Sequence, residues 1–178
     1  MVRTEKDYRA REIITNAVCG SGSKYSQTTY TIHPANRPTT IGGCWVMNHS
    51  YEAELVGDAV EVHGRFDVNV WYSYHGNSET AVAKDTVTYT EMIPLRELDP
   101  YCSRDHVKVS VQVLQQPNCL DATVVDSGNE ILVRVEKELA TEIVGETKVW
   151  VLTVDQPHDK DDEDIEDEVF EDDDDFED

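Results

Sequence analysis

The stretch Val60-Glu61-Val62-His63-Gly64-Arg65-Phe66-Asp67-Val68-Asn69-Val70-Trp71-Tyr72-Ser73-Tyr74 decides how the rest of the chain is read. Val60, Val62, Phe66, Val68, Val70, Tyr72 and Tyr74 share one parity, interrupted only by Gly64. Glu61, His63, Arg65, Asp67, Asn69, Trp71 and Ser73 occupy the other. Successive side chains of a strand point to opposite faces. This alternation therefore predicts one long strand with an apolar face towards a core and a polar face towards water. Trp71 is the exception on the wet face. His75-Gly76-Asn77-Ser78 follows with turn residues, and Thr80 to Ile93 resumes as a β-branched run, which together predict a hairpin.

The same pattern spreads in both directions. Val107, Val109, Val111 and Val113 alternate with Lys108, Ser110 and Gln112, and Asp126-Ser127-Gly128-Asn129 separates Ala122–Val125 from Glu130–Val135 as a second hairpin. In Thr147 to Val154, Val149 and Val151 oppose Trp150 and Leu152, so both faces of that strand are expected to be covered. Upstream, Lys24 to Ile32 is rich in Thr and Tyr and ends at His33-Pro34, and Cys44 to Asn48 follows Gly42-Gly43. Asp7 to Val18, and the set Val135, Leu139 and Ile143, fit helical as well as strand spacing. Their surroundings assign both to strands. Cys19-Gly20-Ser21-Gly22-Ser23 has phosphate-loop glycines but no Lys-Ser/Thr pair behind them, so it is read as a turn. About eight to ten strands with frequent turns predict a mostly β fold, an antiparallel β-sandwich-like body or a pair of packed β-modules. Leu95 to Ser103, beside Pro94 and containing Pro100, is the expected linker, crossover or internal boundary.

Charge divides the chain sharply. Of its 178 residues, 39% are hydrophobic, and 37 acids against 15 bases give a net charge of −22. Residues 159–178 hold fifteen of those acids and one base, Lys160, leaving residues 1–158 at −8. So few apolar anchors cannot offset the entropy of ordering such a segment. The expected organisation is a flexible leader over residues 1–7, a β-rich body over 8–156 and a disordered acidic tail over 157–178. Asp161, Asp162, Glu163, Asp164, Phe170 and Phe176 are its candidate client-binding residues, with basic proteins or divalent cations as the natural partners. Nucleic acid is disfavoured, because phosphate demands a basic surface. No run approaches the twenty or so apolar residues of a membrane span, so no direct membrane insertion is expected. Met1-Val2-Arg3-Thr4-Glu5-Lys6 does not lead into an apolar signal core, so the chain is expected to stay in the cytoplasm of the cell that makes it.

Nothing in the sequence nominates a reaction. GxSxG, P-loop, GxGxxG and HExxH patterns are missing, so no catalytic residue, cofactor or metal site is proposed, and the chain is read as a non-enzyme. His63 and His75 are twelve positions apart, roughly 40 Å along a strand, and cannot share an ion. Cys19, Cys44, Cys102 and Cys119 form no CxxC clip; reduced, packed thiols are the plain reading, and late oxidative cross-linking within an assembly the alternative. Asp67, Asn69, Trp71 and Ser73 form an exposed polar-aromatic stripe. Trp71, Asn69 and Ser73 are its candidate interface residues, because an exposed Trp among polar groups is typical of interface anchors. A sugar-binding surface is the other use of such a stripe. The competing whole-protein reading is a monomeric β-sandwich module that binds carbohydrate or peptide.

Five strings carry a resemblance: Arg11-Glu12-Ile13-Ile14-Thr15, Ile41-Gly42-Gly43-Cys44-Trp45-Val46-Met47-Asn48-His49, Asp67-Val68-Asn69-Val70-Trp71-Tyr72-Ser73-Tyr74, Leu114-Gln115-Gln116-Pro117-Asn118-Cys119-Leu120 and Val144-Gly145-Glu146-Thr147-Lys148-Val149. In order and separation, ahead of an acidic terminus, they resemble CotE, the outer spore coat morphogenetic family of endospore-forming bacilli. The resemblance implies a scaffold that self-associates as a homo-oligomer around the developing spore. It implies docking on the basement-layer spore coat morphogenetic ATPase and recruitment of outer coat proteins. It places the protein in the mother-cell cytoplasm during sporulation and then in the spore coat. Self-association is implied mainly for the N-terminal part and recruitment for the acidic C-terminal part. The longer leader, Met1 to Asp7, and the nearly pure Asp/Glu tail depart from the family pattern, which bears on which coat proteins are recruited.

Overall fold

The structure, a computed structural model, describes residues 8–125 and 128–154. The expected leader (1–7) and the tail (157–178), with Asp161, Asp162, Glu163, Asp164, Phe170 and Phe176, lie outside the described residues. Six strands make up the fold: β1 (Tyr8–Ile32), β2 (Pro38–Val56), β3 (Ala59–Tyr74), β4 (Glu79–Pro94), β5 (Lys108–Val124) and β6 (Ile131–Val154). They form two three-stranded antiparallel sheets, ordered β1-β6-β5 and β2-β3-β4. Among the described residues, no helix is long and apolar enough to cross a membrane.

The described residues divide into two units, Glu12–Val149 and a second described over residues 8–11 and 150–154. In the first, the central strands β3 and β6 face one another. Phe66, Val68, Val70 and Tyr72 of β3 join Ile131, Val133 and Val135 of β6, with Ile32, Ala83 and Val87, in one buried cluster. Val60 and Val62 join Leu139 and Ile143, with Cys19, Ile93 and Leu95, in a second. Both clusters draw on both sheets, so the unit is a sandwich. The alternation over Val60–Tyr74 meets this core as expected, and its one gap is filled from next door. Tyr89 is the β4 partner of Gly64 and packs against both clusters. A Cβ at Gly64 would lie 2.2 Å from the Tyr89 ring, so glycine is what admits the phenol.

The hairpins at residues 75–78 and 125–130 form where turn chemistry placed them. His75, Gly76 and Asn77 all take positive φ, as the tight reversal requires. Gly128 N donates to the Val125 carbonyl at 2.7 Å and Val125 N to Glu130 O at 3.0 Å. A third hairpin, between β2 and β3 at Gly57 (φ 60°) and Asp58, was not expected. Residues 95–107 cross from one sheet to the other, between β4 and β5.

Three expectations are corrected. There are six long strands rather than eight to ten shorter ones, because several glycines read as punctuation lie inside strands. Gly20 and Gly22 are the clearest case. They sit mid-way along β1, where a Cβ on Gly22 would meet the Pro94 carbonyl at 2.3 Å and one on Gly20 would meet Leu98 at 2.8 Å. Close approach of the crossover, not a turn, requires them. The third correction concerns the thiols: Cys19 and Cys102 are joined in a disulfide between β1 and the crossover, with Cα atoms 5.9 Å apart.

The second unit is described over residues 8–11 and 150–154. Thr153 Oγ1 donates to the Arg9 carbonyl at 3.1 Å. Trp150 and Leu152 are 70% and 71% exposed. The cover expected on both faces of this strand is not supplied by the described residues.

Candidate assembly surface

The outward face of the β2-β3-β4 sheet is where the candidate interface residues fall. Trp71 projects from the central strand of this face, near the end of β3, and is 47% exposed. Its register neighbours are Gly43 on β2 and Val82 on β4. A Cβ added to Gly42 would stand 3.1 Å from the indole, so the bare backbone there lets the ring lie against β2. One register step along, Asn69 stands between Trp45 and Lys84. Trp45 (42%) and Val82 (44%) are exposed, and so is Met47 beyond them. Pairing thus gathers Trp45, Trp71 and Val82 into one apolar patch, of which only Trp71 stood out in the sequence. Trp45 and Val82 belong to other strands, and only the register brings them alongside.

Asn69 departs from expectation. It is 4% exposed, not part of an open stripe, and its Nδ2 has no hydrogen-bond partner among the described residues. A buried, unanswered amide is costly, on the order of 1–3 kcal/mol. Ser73 sits at the rim, its hydroxyl 3.3 Å from the Thr40 carbonyl and bonded to Asn77.

Towards the other end of β3 the same face turns polar. Asp67 accepts from Asn48 Nδ2 and from Thr86 Oγ1, both at 2.7 Å, and these two bonds hold its carboxyl below the ordinary range. Asn48 can reach because it takes a left-handed conformation (φ 56°) where the β2 register shifts between Met47 and Ser50. Arg65 donates to Ser50 Oγ at 3.1 Å. His63 bonds Thr90 at 3.1 Å and Glu61 at 2.7 Å, while His75 pairs with Glu79 at 3.1 Å in the turn beyond β3. The two histidines are not brought together. Glu54, Glu61 and His63 do place ligand-type atoms within 4.8 Å of one another, a convergence produced by cross-strand pairing that strand spacing alone did not reveal.

A hollow of about 740 Å³ opens around Gly64, lined by residues including Ser50, Tyr51, His63, Arg65 and Tyr89. Ser50 is bonded to Arg65 rather than to a histidine, so no nucleophile–base pair forms there. Between the sheets lies a polar network that the sequence did not announce. Lys137 Nζ lies 2.9 Å from Glu91 and 3.0 Å from Ser26, and 4.1 Å from the centre of the Tyr89 ring. Glu91 also meets Lys24 at 2.6 Å. The Tyr89 hydroxyl bonds His49 Nε2 at 2.7 Å, and His49 Nδ1 lies 3.2 Å from Gln116. Every member has a partner, so this is internal bracing rather than a site.

Comparison with known proteins adds one match. The family model described as outer spore coat protein E (CotE) matches residues 9–178. No curated protein and no solved structure matches.

Proposed function

The chain belongs to the outer spore coat protein E family, and on that premise we propose that it is a non-catalytic scaffold that assembles with copies of itself and recruits other coat proteins. The observation that carries this reading is the exposed apolar patch of Trp45, Trp71 and Val82, with Met47 beside it, on the outward face of the β2-β3-β4 sheet. Aromatic anchors ringed by polar groups are the usual centre of a protein–protein interface. A partner that covers the patch would remove this aromatic and aliphatic surface from water. The exposed Trp150 and Leu152 of the second unit supply another apolar surface for a neighbour.

In this reading the body forms the layer, first in the mother-cell cytoplasm and then in the spore coat. The acidic residues 159–178 then engage outer coat proteins through many weak contacts, and the basement-layer coat ATPase supplies the docking point. Size exclusion with light scattering tests the core of the proposal. The full chain at tens of micromolar is expected to run as assemblies, and Trp71→Asp with Trp45→Asp to shift the mass sharply towards monomer while circular dichroism stays unchanged. Monomers throughout for the unaltered chain would sink the scaffold reading and favour a monomeric binding module.

A further inference from the structure

The sandwich has two seams where the edges of its sheets meet, and they are closed differently. Along the β1/β4 seam, Ser21 and Arg96 exchange backbone hydrogen bonds (2.7 and 3.4 Å), Lys24 meets Glu91, and the Cys19–Cys102 disulfide ties β1 to the crossover. Along the β2/β5 seam the ties are weaker. Tyr51 donates to the Val111 carbonyl at 3.4 Å, and His49 meets Gln116 at 3.2 Å. This second seam also holds the two remaining cysteines. Cys44 on β2 and Cys119 on β5 are both half-buried and both pack on the cluster around Phe66 and Val133. The His49–Gln116 and Tyr51–Val111 contacts run the two strands in opposite directions, and continuing that register brings Cys44 opposite Cys119. Two thiols set opposite each other across a seam are placed to become one bond.

We propose that Cys44 and Cys119 are a second redox site, converted by a low-molecular-weight disulfide into an intrachain bond that staples β2 to β5. Chemically this is thiol–disulfide exchange. Cys119 Sγ, half-buried and 3.6 Å from the Asp121 carbonyl, attacks the oxidant as its thiolate. The oxidant's S–S bond breaks, one small thiolate leaves, and Cys119 carries the mixed disulfide. Cys44 then loses its proton and attacks the Cys119 sulfur, expelling the second small thiol. Two electrons and two protons pass to the oxidant, and one protein S–S bond forms. Burial, and then the neighbouring Cys119 thiol, hold the Cys44 thiol well above its ordinary pKa, so the closing step speeds up as pH rises.

The test uses the full chain with Cys19–Cys102 intact. It is incubated with oxidised glutathione near neutrality and at about pH 8.5, then alkylated and mapped without reduction. Both remaining thiols are expected to disappear together, faster at the higher pH. The mass should fall by two hydrogen atoms, no glutathione should be retained, and a Cys44–Cys119 peptide should appear. Cys44→Ser is expected to trap glutathione on Cys119. Mixing isotope-labelled with unlabelled chains separates a bond within one chain from a bond between two. Stable glutathione adducts on both cysteines, Cys44–Cys119 bonds joining labelled to unlabelled chains, or thiols that stay unreacted at the higher pH would each overturn the proposal.

Discussion

Lys137 occupies an inward position of β6, two residues from Val135 and two from Leu139, and is 3% exposed. A buried ammonium survives there only because Glu91, Ser26 and the Tyr89 ring surround it. Glu91→Ala leaves the Lys137 ammonium buried and without its counter-charge and is expected to cost about 3–5 kcal/mol in denaturant unfolding, whereas Lys137→Ala leaves Glu91 its Lys24 partner and should cost less. The double change Lys137→Met with Glu91→Leu should cost far less, because neither charge is then stranded. The same pair sets a pH response. Burial pushes the Glu91 carboxyl up, but the hydrogen bonds from Lys24, Lys137 and Ser26 outweigh it and leave the group below its ordinary value. A carboxyl depressed by folding contributes its full stability above the unfolded value, about 4.3, and loses it as pH falls through the folded one. Acid should therefore weaken the protein progressively below about pH 5, with Glu91→Gln less sensitive. Asp67, Asp99, Glu79 and Glu136 are shifted the same way, so Glu91→Gln should remove only part of the slope.

Within the strands, the informative irregularity is in β2. Cys44 and Val46 face inward, and after Asn48 the inward set becomes His49, Ala53 and Leu55. One left-handed residue absorbs the change of parity. Asn tolerates that conformation and its amide anchors Asp67, whereas a β-branched residue would suffer strain and lose the bond. Asn48→Val is expected to destabilise thermal unfolding by about 1–3 kcal/mol and Asn48→Gly by clearly less. Equal losses would mean that the side-chain bond, not the backbone, matters at this position. This bulge also shows why the sequence was only partly legible. Period two held for Val60–Tyr74 because β3 is regular and apolar on its core face. It failed for β2, where the parity reverses mid-strand. β6 alternates without a break from Ile131 to Thr147, but Lys137, Thr141, Gly145 and Thr147 at inward positions blur the pattern. That left Val135, Leu139 and Ile143 looking as helical as extended. Trp71 was legible because it violated a clear alternation. Its companions Trp45 and Val82 violate none that can be seen without the register, and the Cys44–Cys119 approach depends on how two sheets stack.

At the scale of the whole molecule, charge opposes the association proposed for the body. The full chain carries −22, of which −14 lies in residues 159–178 and −8 in residues 1–158. Copies brought together through the Trp71 face must overcome that repulsion, which salt screens over roughly 8 Å at physiological ionic strength. If the body assembles and the acidic segment captures clients, the two activities separate at His158. A chain truncated after His158 should assemble at least as readily as the full chain and depend less on added salt, since most of the net charge is gone. It should also lose binding to a lysine-rich peptide, a probe whose affinity for the full chain should fall steeply as salt rises. The distinguishing measurement is light scattering and peptide titration on both chains across a salt series. Assembly lost on truncation would move self-association into the acidic segment, against the role given to the Trp45–Trp71–Val82 patch. Peptide binding retained on truncation would assign client capture to the body, whose own excess of acids would then be sufficient.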